Sequence, residues 1–249
     1  MRRFFCPPEK ITEDKIYLPA ETAHHIKDVL RFKKGDKIEI FDGKWNKYNC
    51  ILQDLNSANI VSKEFSLSKE TACMVTLAQA IPNKLSKMDF IIEKATELGV
   101  DTIAPVAAER SIINVGAIHE LPLRKLQRWQ KIAEQASRQC GRAKIPEVKE
   151  VISVGEALAA LKNSDIKLFP CIDKTTIKLQ DALGDFKCRG TARRAPTIAI
   201  FIGPEGDFSP REIKSAKDNG FKLVSLGERV LRTETAGLYI LSVLDYVFG

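Results

Sequence analysis

The chain contains no apolar run approaching the length of a membrane span. Its opening, MRRFFCPPEK, has two arginines but no apolar core after them, so it does not read as a secretory signal. Six cysteines are scattered without a C-x-x-C pair or a histidine at ligand spacing, which argues against a zinc site or a disulfide framework. No metal is expected, and the thiols fit a reducing cytoplasm. Cys73, Cys140 and Cys171 sit among apolar neighbours and are expected to be buried free thiols. Aromatic residues make up only 7%, too few for an obvious single-strand stacking platform. Neither G-x-x-x-x-G-K-[ST] nor G-x-G-x-x-G occurs, so the familiar phosphate loops are excluded. There is no internal repeat.

What is present is an ordinary globular composition, 44% hydrophobic and 29% charged over 249 residues, enough for one large domain or two smaller ones. The net charge of +7 is weak evidence for a polyanionic partner, and its distribution says more. One basic cluster lies in HHIKDVLRFKKGDK, with Lys27, Arg31, Lys33, Lys34 and Lys37. A second covers the 123–140 segment and its exit, with Arg124, Arg128, Lys131, Arg138, Arg142 and Lys144. Each is either a solvated helix face or a surface that holds phosphates, and two clusters on different domains favour a nucleic-acid cleft. Arg2, Arg3 and His25 join them as candidate RNA contacts, although a partly exposed histidine is commonly just that.

Residues 1 to about 65 are β-rich. KIYL, DKIEIFDG, YNCILQDL and ANIVSKEF are strand candidates around one short helix, Ala20 to Leu30, and suggest a small barrel. SLSKET is a polar link. From Cys73 onward strands alternate with helices, which implies a parallel α/β sheet. CMVTLAQAI, TIAPV, IKLFPCI, TIAIFI and FKLVSL are the strands. Ser86 is expected to cap a helix that places Met88, Ile91, Ile92, Ala95 and Leu98 on one face before Gly99 stops it. Leu126, Trp129, Ala133, Ala136 and Cys140 share a face of the next helix. Ser153 with Glu156 forms a capping box, and a last helix from Thr233 buries Ala236, Ile240, Val243 and Val247. The stretch from Leu183 to Pro196 reads as a mobile basic loop.

Two strand-loop-helix units stand out. In TIAIFIGPEGDFSPREI a buried strand ends at Gly203-Pro204-Glu205-Gly206, and Ser209, Pro210 and Glu212 start a helix that Gly220 stops. The loop is either a tight turn or a ligand site at the carboxyl end of a parallel strand, where open sheets bind ligands. Glu205 and Asp207 would repel a polyphosphate, so a cationic or neutral ligand fits better. The second unit is SLGERVLRTETAGLYIL, in which Gly227 permits a turn and Thr233 is placed to cap the last helix.

Together these two segments resemble the cofactor region of the SPOUT methyltransferases. KMDFIIEKATELGV, ERSIINV, RWQKIAEQASRQCGRAKIPEV, IGPEGDFSPREI and LGERVLRTETA are similar, in order and spacing, to the RsmE-type 16S ribosomal RNA uracil-N3 methyltransferases. RRFF and HHIKDVLRFKKGDKIEIFDG resemble the PUA-like barrel of that family. The resemblance implies residues 1–70 as a PUA-like RNA-binding β-barrel and 71–249 as a methyltransferase domain with a trefoil knot. It implies S-adenosylmethionine as cofactor, held by Ile202, Gly203, Pro204, Gly206, Leu226, Gly227, Val230, Leu231, Thr233 and Ala236. It further implies small-subunit ribosomal RNA as partner, a homodimer through the last helix, and the cytoplasm. Since the uracil N3 proton must leave, Glu205 is the candidate base, with Arg232 and Arg110 orienting uracil or phosphate. Glu205 as a structural loop carboxylate and the arginines as salt-bridge partners are the alternatives. Asp207 departs from the family pattern, which has a second glycine there, and the 183–196 loop is longer and more basic than that pattern. Two other functions remain: a ribose methylase of the same superfamily, and a non-catalytic RNA-binding assembly factor.

Overall fold

The computed structural model describes residues 2–66, 72–111, 123–184 and 195–248. Most of SLSKET, the end of ERSIINV and most of the basic loop fall outside them. The chain divides into two compact units, Met1–Glu70 with Glu134–Ile145, and Thr71–Ala133 with Pro146–Gly249.

The first unit is a five-stranded sheet of β1 (Arg2–Phe5), β2 (Lys15–Tyr17), β3 (Lys37–Phe41), β4 (Asn46–Asp54) and β5 (Ser57–Phe65), in the order β1-β3-β4-β5-β2. Only β1 and β3 pair in parallel. β1 was not expected as a strand, because RRFF is too short to show alternation. The predicted helix is α1 (Ala20–His24), which continues as a π turn over His25–Val29. Phe4, Ile16, Ile26, Ile38, Ile40 and Leu52 close the core.

The second unit contains β6 (Met74–Ala80), α2 (Leu85–Glu97), β7 (Thr102–Ala107), α3 (Leu123–Cys140), whose part from Glu134 groups with the first unit, β8 (Glu147–Val148) and β9 (Ile152–Ser153). There follow α4 (Val154–Leu161), β10 (Ile166–Pro170), β11 (Ile177–Lys178), α5 (Leu179–Gly184), β12 (Thr197–Ile202), α6 (Pro210–Asp218), β13 (Lys222–Ser225) and α7 (Thr233–Phe248). The sheet order is β11-β13-β10-β12-β6-β7-β8, with β9 also on β7, and every pairing is parallel. The alternating strand and helix pattern therefore has the expected outcome. β12 is apolar without interruption because it is central and covered on both faces; Ile198, Ala199, Ile200, Phe201 and Ile202 are all buried. Phe201 stacks on Phe169 at 5.6 Å between ring centroids, and Phe208 packs on Phe169 at 4.3 Å, so the core reaches up under the loop that follows β12.

Both predicted capping boxes form, at Ser153 with Glu156 and at Ser209 with Glu212. Ser86 does not cap α2. That helix begins at Leu85, two residues earlier than a Ser86 cap implies, and its N-cap position, Lys84, makes no side-chain capping bond. Met88, Ile91, Ile92 and Ala95 do form its buried face. On α7, Ala236 and Ile240 are buried, while Val243 and Val247 are only half-buried. Cys73 is buried, but Cys140 and Cys171 are half-buried because each sits at the end of its element; none of the described cysteines is in a disulfide. No helix among the described residues is long and apolar enough to cross a membrane.

Candidate cofactor site and basic surfaces

Three loops leave the carboxyl ends of β13, β10 and β12, which are neighbours in the sheet. They surround a cavity of about 750 Å³, within the range of small-molecule sites. The loops after β12 and β13 contribute Ile202, Gly203, Pro204, Glu205, Leu226, Gly227, Val230, Leu231 and Arg232, and the start of α7 adds Thr233 and Ala236. The third loop, after β10, was missed by sequence reasoning and brings Cys171, Ile172, Asp173 and Lys174. Its signal was available: the buried strand β10 stops at Pro170 and is followed by Cys-Ile-Asp-Lys-Thr-Thr, and Asp173 closes a turn by accepting from the Thr175 hydroxyl and from its N–H, the latter at 2.8 Å. Hydrogen bonds from the Thr175 hydroxyl and then its N–H hold the Asp173 carboxyl below its ordinary range.

Gly203 is a close approach. A Cβ there would stand 3.2 Å from both the Asp207 carboxylate and the Phe208 ring. Gly227 has φ of +113°, a conformation that side-chain-bearing residues rarely adopt. Gly206 does not line the cavity; its carbonyl accepts a hydrogen bond from Arg110 Nη1 at 3.0 Å. Arg110 thus fastens the loop and stands back from the cavity wall, and neither alternative foreseen for it, substrate contact or salt bridge, describes that bond.

Thr233 does not cap α7. Its hydroxyl donates to the Gly203 carbonyl at 2.6 Å and accepts from Gln79 Nε2 at 2.9 Å, so it ties the last helix to the loop after β12. The Glu205 carboxylate accepts from Lys87 Nζ at 2.7 Å and from the Asn83 N–H at 3.1 Å. Partial burial pushes its pKa up, but the hydrogen bonds from Lys87 and the backbone outweigh this and hold it below the usual carboxylate range. Lys87 and Asn83 thus occupy the carboxylate in a way that suits the alternative of Glu205 as a loop carboxylate, held beside the expectation of Glu205 as base. Lys87 also stands 3.9 Å from Glu234. Arg232 is exposed on the cavity wall.

Of the candidate RNA contacts, Arg2, Lys27, Arg31, Lys33, Lys34 and Arg138 are exposed on the first unit. Arg3 and Arg142 are corrected to structural residues. Arg3 pairs with Glu39 at 2.9 Å, lies 4.3 Å over the Phe41 ring and donates to the Arg142 carbonyl, while the Arg142 side chain is itself buried. Burial lowers the Arg3 pKa, partly offset by Glu39. His25 is half-buried beside Phe4. Arg128 is exposed in the second unit and pairs with Asp89 at 2.7 Å, and Asp89 also accepts from the Trp129 indole.

A family model described as an RNA methyltransferase domain matches residues 69–245, and one described as an RNA methyltransferase PUA domain matches 18–65. The ribosomal RNA small subunit methyltransferase E of Buchnera aphidicola is 32% identical over 94% of this chain and 88% of its own length. The chain belongs to the small-subunit ribosomal RNA methyltransferase E family. A crystal structure of such an enzyme from Neisseria gonorrhoeae, bound to S-adenosyl methionine, superposes with a TM-score of 0.82 at 31% identity, covering all of this chain and 98% of the other. A Legionella pneumophila methyltransferase with bound cofactor gives 0.83 at 29% identity, over 98% and 96% of the two chains. The family resemblance, the α/β fold with its PUA-like unit and the class of enzyme therefore stand as expected.

Proposed function

We propose that this chain transfers the methyl group of S-adenosylmethionine to N3 of a uracil in 16S ribosomal RNA, as a step in small-subunit maturation. The cavity at the ends of β10, β12 and β13 is the observation that carries this reading. Its lining suits the cofactor: Ile202, Leu226, Val230, Leu231 and Ala236 offer an apolar slot for adenine, and Asp173 and Glu205 favour a cationic centre over a phosphate. Bound there, the cofactor supplies an electrophilic methyl group on a sulfonium.

The chain's own residues bind and orient. Arg232 is assigned to the uracil oxygens, where negative charge develops as the N3 proton leaves. Arg110 and Glu205 hold the loop after β12 at fixed height over the sheet. The target base must be unstacked, because N3 is hidden in a duplex. Lys27, Arg31, Lys33, Lys34, Arg2 and Arg138 are assigned to flanking phosphates. Residues 1–70 serve RNA binding and 71–249 the chemistry. Tyr239 and Tyr246, exposed on α7, suit a homodimer interface, and the ribosomal substrate suits the cytoplasm.

Labelled-methyl transfer to small-subunit particles from a strain lacking this modification, followed by nucleoside analysis, tests the reading. 3-Methyluridine is expected. A 2′-O-methyl nucleoside would make the chain a ribose methylase, and absent transfer together with no binding of S-adenosylhomocysteine would leave an assembly factor. Neutralising Arg31, Lys33 and Lys34 together is expected to reduce the salt dependence of RNA affinity by roughly one logarithmic slope unit per lost phosphate contact.

A further inference from the structure

Asp207 is a side-chain-bearing residue with φ of +59°, in the left-handed region that costs free energy unless local hydrogen bonds support it. Its own N–H donates to the Pro204 carbonyl at 3.0 Å. Its carboxylate accepts from two backbone donors. Oδ1 accepts from the Phe208 N–H at 2.8 Å, which closes the turn locally. Oδ2 accepts from the Ile172 N–H at 2.8 Å, which the turn does not need. That second bond crosses from the loop after β12 to the loop after β10, and both loops line the cavity.

The residue reached by this bond is unusual in its exposure. Ile172 is 71% exposed and Val230 is 79% exposed, and both line the cavity. They are two of the four most exposed large apolar side chains among the described residues. Isolated exposed apolar residues are commonplace, but two at one concave site are covered together when a ligand with an apolar face is seated there. We infer that Asp207 is a positioning residue for the cofactor: through the Ile172 amide it fixes the loop after β10 against the loop after β12, and so presents Ile172 as an apolar wall for the adenine of S-adenosylmethionine. This rests on the cavity being the cofactor site, as proposed above.

The variants separate this role from simple turn formation. Asp207→Gly suits the positive φ and removes both carboxylate bonds, so the fold is retained while the bridge is lost. Ile172→Ala keeps the bridge and removes the wall. Isothermal titration with S-adenosylhomocysteine is expected to show roughly tenfold weaker binding for Asp207→Gly, the scale of one hydrogen bond to a charged group. The Michaelis constant for S-adenosylmethionine should rise by a similar factor, with kcat at saturating cofactor unchanged and the melting temperature of the ligand-free protein held. Ile172→Ala should weaken binding in the same direction. The double variant should lose less than the product of the two single losses, because both act through one wall. Undiminished binding by either single variant, independent losses in the double variant, or a loss of affinity that tracks a loss of melting temperature would overturn the inference. No binding by the parent protein would instead overturn the site assignment beneath it.

Discussion

The loops after β12 and β13 form two walls of one cavity and are built in opposite ways. The first is fastened at nearly every residue: Gly203 to Thr233, Glu205 to Lys87 and Asn83, Gly206 to Arg110, Asp207 to Ile172, with Phe208 sunk in the core. The second rises from Gly227 with Glu228, Arg229 and Val230 exposed, and the side-chain bonds at its base are two long ones between Ser225 and Gly227, each 3.3 Å. A wall held by many buried contacts is set before a ligand arrives, whereas one with few contacts opens at low free-energy cost. On the function proposed above, the fastened wall is the preformed side of the cofactor site and the exposed wall the side that adjusts.

The largest effect should come from removing the anchor of the fastened wall. Phe208→Ala deletes a fully buried ring packed on Phe169 and is expected to cost about 3–5 kcal/mol of stability, read by denaturant unfolding. Gly203→Val should follow, at about 1–3 kcal/mol, because its side chain meets Asp207 and Phe208 in an already filled space. Loss of cofactor binding in that variant without any loss of stability would mean that the added side chain points into the cavity.

Glu205→Gln tests a single tether of that wall and should cost less than about 1 kcal/mol at neutral pH, since the ion pair is partly exposed. Its signature is in the pH dependence. The folded carboxylate has a lowered pKa, so its contribution is present above the ordinary value of 4.5 and is lost as the pH falls through the folded value. Parent and variant melting temperatures should therefore differ at neutral pH and converge on acidification below that value. Methyl transfer by the variant at close to the parent rate would make Glu205 a tether, and a hundredfold loss at intact cofactor affinity, the scale typical of a missing general base, would make it the base.

The smallest stability effect belongs to the open wall. Val230→Ala should change stability by no more than about 0.5 kcal/mol, as for other exposed positions, while weakening S-adenosylhomocysteine binding measurably. A drop in stability as large as that of Gly203→Val would abolish the distinction between the walls.

Much of this was legible from local rules. Ile198 to Ile202 read as a covered strand, and Ser209-Pro210 with Glu212 as a helix start, because each depends on neighbours in the chain. Failures came where a side chain met a distant partner. Thr233 has the residue type and position of a cap but is held by Gly203 and Gln79. Arg3 looked like a surface cation until Glu39, Phe41 and the Arg142 carbonyl enclosed it. The loop after β10 was overlooked because no glycine marks it; what makes it a wall is that β10 lies between β12 and β13 in the sheet.

The sequence by itself determined the alternation of strands and helices, the capping boxes and, through its motifs, the family. These rest on short-range sterics, hydrogen bonding and apolar periodicity, which act between residues near one another in the chain. Only the tertiary structure decided that Glu205 pairs with Lys87, that Arg142 is buried and that Asp207 bonds to Ile172. Each of those outcomes depends on a donor, an acceptor or an apolar surface brought from far along the chain, and the sheet order that brings them together is not written in any local stretch of residues.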